Sequence, residues 1–542
     1  LAQIDPNKAG QELSEDVMAR YGAALEASSP QIPEARRERM IADFEREWNR
    51  VNATDATLEL IDKTILKPAI EAIDTQFVDQ PAVDAGLRLV LANQYRELGL
   101  YDSAMPLMEA ALETNRRELG EEHSETLISL NDMGYLLLLM GRSADAEPYL
   151  RDALEKMGEI LGEDHRNTLT AMSNLALSLH YQGQLDDAEP LYREALDKRR
   201  QALGDDDPDT LVAVSNLGFV LLAQGRLADA EPLLREAMEK QKELLGDDHL
   251  DTITAVNNLG YSIQYQGRLD EAEPYVREAY ERWRKTLGED HPWTLVGMNN
   301  LALLVQDLGQ FDEAERLLRG AVEGRTRALG EEHPDTISSV GNLGRLLQNA
   351  GRLDEAETYL RSALEMGKKV HGEDHPAVFI TLNNYGVLLE TKKDLAGAER
   401  YYREAMEKCQ RVLGEAHPNT LIATINTSTA VQRQGRNAEA RDMLGEIEDR
   451  ARETFKGSQA SWLAKLLTTR GMARTSLGEL GDAETDLLEA HELYLASRGE
   501  KHRDTEGCVR AIVDLYDALA EAAPGEGHEE TADTWRATAV YQ

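Results

Sequence analysis

The sequence predicts an all-α solenoid of tandem helix-turn-helix repeats. Three observations predict it. A phrase of the form Leu-Gly-Asp/Glu-Asp/Glu-His-Pro returns with its glycine at Gly120, Gly162, Gly204, Gly246, Gly288, Gly330, Gly372 and Gly414, and each step is 42 residues. After one inserted residue the beat resumes at Gly457 and Gly499. An alanine falls 26 residues after every one of these glycines but the last, from Ala146 and Ala188 through Ala440 and Ala483, and Ala104 keeps the same beat one step earlier. Within each period, apolar residues recur twice at helical spacing with a glycine between the two runs. Self-similarity at a fixed period of this length is the mark of stacked repeats, each packing only on its neighbours.

Each element follows from its residues. In 209–224, Leu211, Val214, Leu217, Val220 and Leu221 form one apolar face of a first helix. Gly225-Arg226 breaks it. A second helix over 227–245 carries Ala230, Leu233, Leu234 and Ala237 as its inner stripe. The small residue 14 after the phrase glycine (Gly134, Ala176, Gly218, Gly260, Ala302, Gly344, Gly386) lets the two helices approach closely. A turn glycine stands 21 after it, at Gly141, Gly183, Gly225, Gly267, Gly309 and Gly351. Stepping back 42 from Gly120 reaches Val78, where the phrase has decayed. The repeats therefore span 81–525, about eleven of them, with worn ends as capping repeats require. Residues 1–80 read as a helical N-terminal cap or linker, with helices near 11–27, 33–49 and 55–75. Residues 526–542 read as a C-terminal capping helix.

The histidines of the phrase (His123, His165, His249, His291, His333, His375, His417 and His502) share one slot. Metal sites need several ligands within a few ångströms, whereas neighbouring helices lie about 8–10 Å apart. One repeat has Asp207 there, followed by Pro208. Asp is a favoured N-cap and Pro a favoured first helical residue. The slot is read as a cap of the next helix. Glu147–Arg151, Glu189–Arg193, Glu231–Arg235, Glu273–Arg277, Glu315–Arg319, Glu357–Arg361 and Glu399–Arg403 are i,i+4 pairs on the second helix, the pattern of a solvated outer face.

Composition narrows the function classes. There are 59 Lys and Arg against 99 Asp and Glu, a net charge of −40. Such a field repels nucleic acid and anionic membrane and favours a neutral or basic protein or peptide as partner. No run of apolar residues is long enough to span a membrane. The two cysteines, Cys409 and Cys508, fall in different repeats and lack zinc-site spacing. A reducing, cytoplasmic compartment is the favoured reading. Leu1 is neither a starting Met nor part of a signal-peptide pattern, so the chain is read as a fragment or processed product. No phosphate-binding loop, nucleophile elbow or zinc-protease helix occurs, so no catalytic residue, cofactor or metal is expected.

Leu217, Gly218, Ala230, Leu234 and Ala237 occupy the consensus slots of the tetratricopeptide pattern. The longer period, the Leu-Gly-x-x-His-Pro linker and the Asp/Glu-Ala-Glu-Pro phrase resemble the kinesin light chain type of this repeat over roughly residues 80–525. The Leu-Ala-Gln-Ile-Asp-Pro start and the run into Tyr95-Arg96-Glu97-Leu98-Gly99 are loosely similar to the segment before the repeats in bacterial Ser/Thr kinases. The resemblance implies a superhelix whose first helices line a concave groove.

Asparagine is a mediocre helix former, so a ladder of it inside first helices calls for a reason. Asn174, Asn216, Asn258, Asn300, Asn342, Asn384 and Asn426 share one slot. Asn131, Asn257, Asn299 and Asn383 stand one residue earlier. The amide both donates and accepts, as a peptide backbone does. In kinesin-light-chain-like grooves, the resemblance implies, asparagines here contact the backbone of an extended peptide. The other reading is hydrogen bonding between adjacent helices, and the two roles can coexist. Tyr135, Tyr261 and Arg345, three residues beyond the ladder slot, and Tyr181 and Tyr265, further along, are candidate anchors. Phe219, in the Tyr135 slot, is read as core. The expected function is a non-enzymatic scaffold holding a peptide or partner helix in the groove. Its rival is the sensor or docking region of a larger signalling enzyme, a kinase, NTPase or protease with its catalytic domain outside this chain.

Overall fold

The structure, a computed structural model, describes residue 40 and residues 60–500 and 502–540. The expected helices at 11–27 and 33–49, and the start of 55–75, lie outside the described residues. Among the described residues there are 23 α-helices and no strand. After Lys67–Gln76, which a π-turn at Asp62–Leu66 precedes, the helices run in eleven successive pairs, from Pro81–Glu97 with Tyr101–Leu119 to Arg503–Ala522 with His528–Val540. The chain divides into two compact units, Leu1–Gln264 with Leu269–Ser339, and Tyr265–Arg268 with Val340–Gln542.

The pair read from sequence at 209–224 and 227–245 is Pro208–Ala223 and Leu227–Leu245. The first helix starts one residue earlier because Asp207 caps it. The Asp207 side chain accepts the backbone N–H of Asp209 at 2.9 Å. The histidines of this slot do the same with Nδ1: His123 accepts from Glu125 at 3.2 Å and His417 from Asn419 at 3.1 Å. This satisfies one of the orphan donors of each helix start.

Packing inside a pair explains the alanine ladder and the small-residue slot. Ala146, Ala188, Ala230, Ala272, Ala314, Ala356 and Ala398 are fully buried. A Cβ placed on Gly218 would lie 2.8 Å from the Leu234 side chain. Gly141 at the turn has φ +70°, a region L side chains rarely adopt. One repeat has Lys393 at that turn and holds φ +67°, the sole non-glycine residue to do so among the described residues. There Asp394 supports the next helix by accepting the Gly397 N–H at 2.9 Å.

The seven i,i+4 pairs all form. Six have Glu–Arg contacts between 2.6 and 2.9 Å, and Glu357 meets Arg361 likewise. Several are joined to the next repeat, as Glu189 is to Arg226 at 2.9 Å and Arg277 to Glu313 at 3.2 Å. Individually such surface pairs add little, about 0.2–0.5 kcal/mol. Both cysteines are free and buried.

Candidate peptide-binding face

The first helices of neighbouring repeats touch one another directly, as Ser124–Leu139 touches Arg166–Tyr181 and Pro376–Thr391 touches Pro418–Arg433. They therefore form the inner side of the stack, and the ladder lies on them.

The structure divides the ladder in two. Asn131, Asn257, Asn299 and Asn426 are buried, with 1–7% of their surface exposed. Asn174, Asn216, Asn258, Asn300, Asn342, Asn383 and Asn384 are half-buried. The two slots are joined across repeats: Asn174 Nδ2 donates to Asn131 Oδ1 at 2.9 Å, Asn300 Nδ2 to Asn257 Oδ1 at 3.1 Å, and Asn426 Nδ2 to Asn383 Oδ1 at 2.8 Å. Where the earlier slot holds serine, Asn258 Nδ2 donates to Ser215 Oγ at 3.4 Å. Asn299 Oδ1 accepts from Ser339 Oγ at 3.1 Å. In the second unit the ladder continues past its last asparagine, because Lys465 Nζ donates to Asn426 Oδ1 at 2.7 Å. The amides thus serve as rungs between adjacent first helices. A buried amide left without its partner costs about 1–3 kcal/mol, so the buried members are held to their rungs.

The candidate anchors differ in environment. Tyr181 and Tyr265 expose 46% and 47% of their surface. Tyr135 and Tyr261 are half-buried, and the Arg96 guanidinium sits over the Tyr135 ring, 5.3 Å from its centroid. Crowding pushes the Tyr135 hydroxyl above its ordinary pKa, and Asp251 on another first helix adds to that shift. Arg345 is half-buried, and its Nε is buried without a hydrogen-bond partner. Phe219 stacks on His180, centroids 4.9 Å apart. Burial there pushes the His180 imidazole down to about 4. The sequence reading overlooked Lys465 and the Arg96–Tyr135 stack. Lys465 lies one helical turn before the ladder slot of its own repeat, so the beat of the asparagines did not point to it.

Among the described residues no helix is long and apolar enough to cross a membrane, and no group of His, Cys, Asp or Glu is placed to hold a metal ion.

The tetratricopeptide repeat profile matches eight overlapping stretches from 85–157 to 378–453. Among solved structures, the nearly identical TPR-like repeats of a Podosopora anserina protein described as kinesin light chain are similar over 37% of this chain and 95% of that one, at 22% identity and TM-score 0.31. BtubC (BKLC) from P. vanneervenii is similar over 42% and 92%, at 24% identity and TM-score 0.35. A Rap protein complexed with competence and sporulation factor is similar over 66% and 99%, at 16% identity and TM-score 0.46. No curated protein sequence matches the chain.

Proposed function

This chain belongs to the tetratricopeptide repeat family, and from that premise we propose that it is a non-enzymatic scaffold whose first helices hold an extended peptide of neutral or basic character. The observation that carries the reading is the row of half-buried amides Asn174, Asn216, Asn258 and Asn300 with the exposed Tyr181 in the first unit, a pattern that Asn342, Asn383 and Asn384 repeat by themselves in the second. An amide has two N–H donors and a carbonyl with two lone pairs. One N–H of Asn174 or Asn300 goes to its rung, and the remaining groups suit a peptide backbone. Asn131, Asn257 and Asn299 orient these groups rather than touch the ligand. Tyr135, Tyr261 and Tyr265 supply apolar surface, and Arg345 offers a cation to a ligand carboxylate or carbonyl. The excess of acidic residues disfavours an acidic partner. Affinity comes from many modest contacts on a preformed surface.

The test is an affinity pull-down with the intact chain and with a variant carrying Asn216→Ala, Asn258→Ala and Asn300→Ala. The captured partner is then purified and titrated against both. The reading expects tight binding to the intact chain and at least tenfold weaker binding to the variant, with helicity unchanged. Equal affinity for both removes the peptide role from the ladder.

A further inference from the structure

In the first unit two histidines of the capping slot reach far back along the chain. His291 Nε2 lies 3.2 Å from the Glu97 carbonyl oxygen, and His333 Nε2 lies 3.1 Å from the Leu139 carbonyl oxygen. Both contacts span 194 residues, and they are one repeat apart. Glu97 and Leu139 are each the last residue of a first helix, where backbone carbonyls lack partners within the helix. The tautomer follows from the geometry. Nδ1 of each ring already accepts a backbone N–H, from Trp293 at 3.2 Å and from Asp335 at 3.1 Å. Nε2 therefore carries the proton and donates.

The turn glycines beside those carbonyls close the same contact. A Cβ on Gly99 would lie 2.6 Å from Pro292 Cδ, and one on Gly141 would lie 2.4 Å from Pro334 Cδ. The equivalent position at Gly309 has open space. The preceding histidine of the slot, His249, would need a partner near residue 55, outside the described residues. Each described place in this unit from which the contact can be made makes it.

We propose that these two His-Pro contacts are a latch between one turn of the repeat superhelix and the next. Closed, it completes the wall around the inner face of the first unit, so a partner enters that face from an end. Open, it lets the pitch lengthen and admits a partner from the side. The latch is a small set of polar and van der Waals contacts between elements that pack fully without it, the requirement for a two-state element. It stands whether or not the inner face binds a peptide.

The test is a distance measurement on the full chain. Nitroxide labels go on Asp102→Cys and Glu289→Cys, both at exposed positions flanking the first contact. Cys409 and Cys508 are buried and stay unlabelled. The latch predicts one short, narrow distance population by double electron–electron resonance. His291→Asp with His333→Asp keeps the helix caps, as Asp207 does naturally, but removes both Nε2–H donors. It is expected to lose the narrow population in favour of a longer, broader one, with helicity unchanged. The same substitution at His165, which caps its helix through Nδ1 alone among the described residues, should change nothing. A long, broad population in the chain carrying only the labels overturns the proposal, independently of how any variant folds. So does an unchanged narrow population in the double Asp variant.

Discussion

The regular repeats of the first unit and the worn repeats near the end of the second are held together by different chemistry. Between residues 124 and 339 the first helices of neighbouring repeats are joined by neutral rungs, amide to amide or amide to serine, and the buried Arg199 and Arg325 give hydrogen bonds to the backbone carbonyls of Asp209 and Asp335. In the pair Ala460–Leu477 and Leu480–Arg498, the core contains an ion network. Arg470 and Asp486 each expose about 4% of their side chains, yet they form a two-point pair with Nε–Oδ2 at 2.9 Å and Nη2–Oδ1 at 2.7 Å. Arg474 Nη1 reaches the same carboxylate at 2.7 Å, and Arg470 also meets Glu448. A neutral rung can be repeated because each member is satisfied by the next copy. A buried carboxylate needs a specific set of cations around it, and Asp486 is the sole acidic side chain buried this far among the described residues. Periodicity reveals the first kind of contact and hides the second.

This contrast can be broken most severely at Asp486. Asp486→Ala leaves the buried Arg470 and its neighbour Arg474 short of a counter-charge, and removing one member of a buried pair costs about 3–5 kcal/mol. Hydrogen exchange should show protection lost across residues 460–498 while residues 124–339 stay protected. Protection lost evenly along the chain would mean that the network is not local.

In the regular repeats the largest effect is expected at the helix-pair contact. Gly218→Leu drives a side chain into Leu234, and overpacking of this kind costs about 1–3 kcal/mol. A denaturant midpoint indistinguishable from that of the parent chain would contradict the close packing of Pro208–Ala223 on Leu227–Leu245.

The rungs come next. Asn300→Ala takes the hydrogen-bond donor from the buried Asn257 carbonyl, a loss of about 1–3 kcal/mol. Asn216→Ala breaks no such bond to the preceding repeat among the described residues, and its midpoint should move less. A larger shift for Asn216 than for Asn300 would reverse the division of the ladder.

The smallest effect is the pH dependence that Glu448 lends to the second unit. Hydrogen bonding to Arg470 and Arg452 holds the Glu448 carboxyl at about 2, below its ordinary 4.5. A carboxylate depressed on folding contributes stability that is present above the unfolded value and lost as pH falls. Exchange from 460–498 should rise between pH 4.5 and 2 in the parent chain, and rise less in Glu448→Gln. Identical profiles would remove Glu448 from the network.

The fold was legible because its signals repeat. The alanine ladder, the small-residue slot and the His/Asp cap each recur every 42 residues, and each has one physical reason that every copy shares. The ladder too was legible, but not which asparagine of a neighbouring pair is buried. Successive residues turn about 100° around a helix axis, so Asn257 and Asn258 face different neighbours. Only packing decides which one turns inward. Lys393 at a left-handed turn carried no sequence signal of its own, since its role is set by the turn around it. The 194-residue contact is not a multiple of the repeat. It follows from the pitch of the stack, which no single repeat encodes. The Arg470 network was invisible because paired carboxylates carry no information in a chain with so many of them.

The central claim, that a partner peptide lies along the inner side of the first helices, is tested most directly by site-specific photo-crosslinking. A benzoylphenylalanine replaces Tyr181 or Tyr265 on the inner side, or Glu239 on the exposed face of a second helix. The account predicts that the captured partner crosslinks from Tyr181 or Tyr265 and not from Glu239. Crosslinking from Glu239 alone would contradict it and move the binding surface to the second helices.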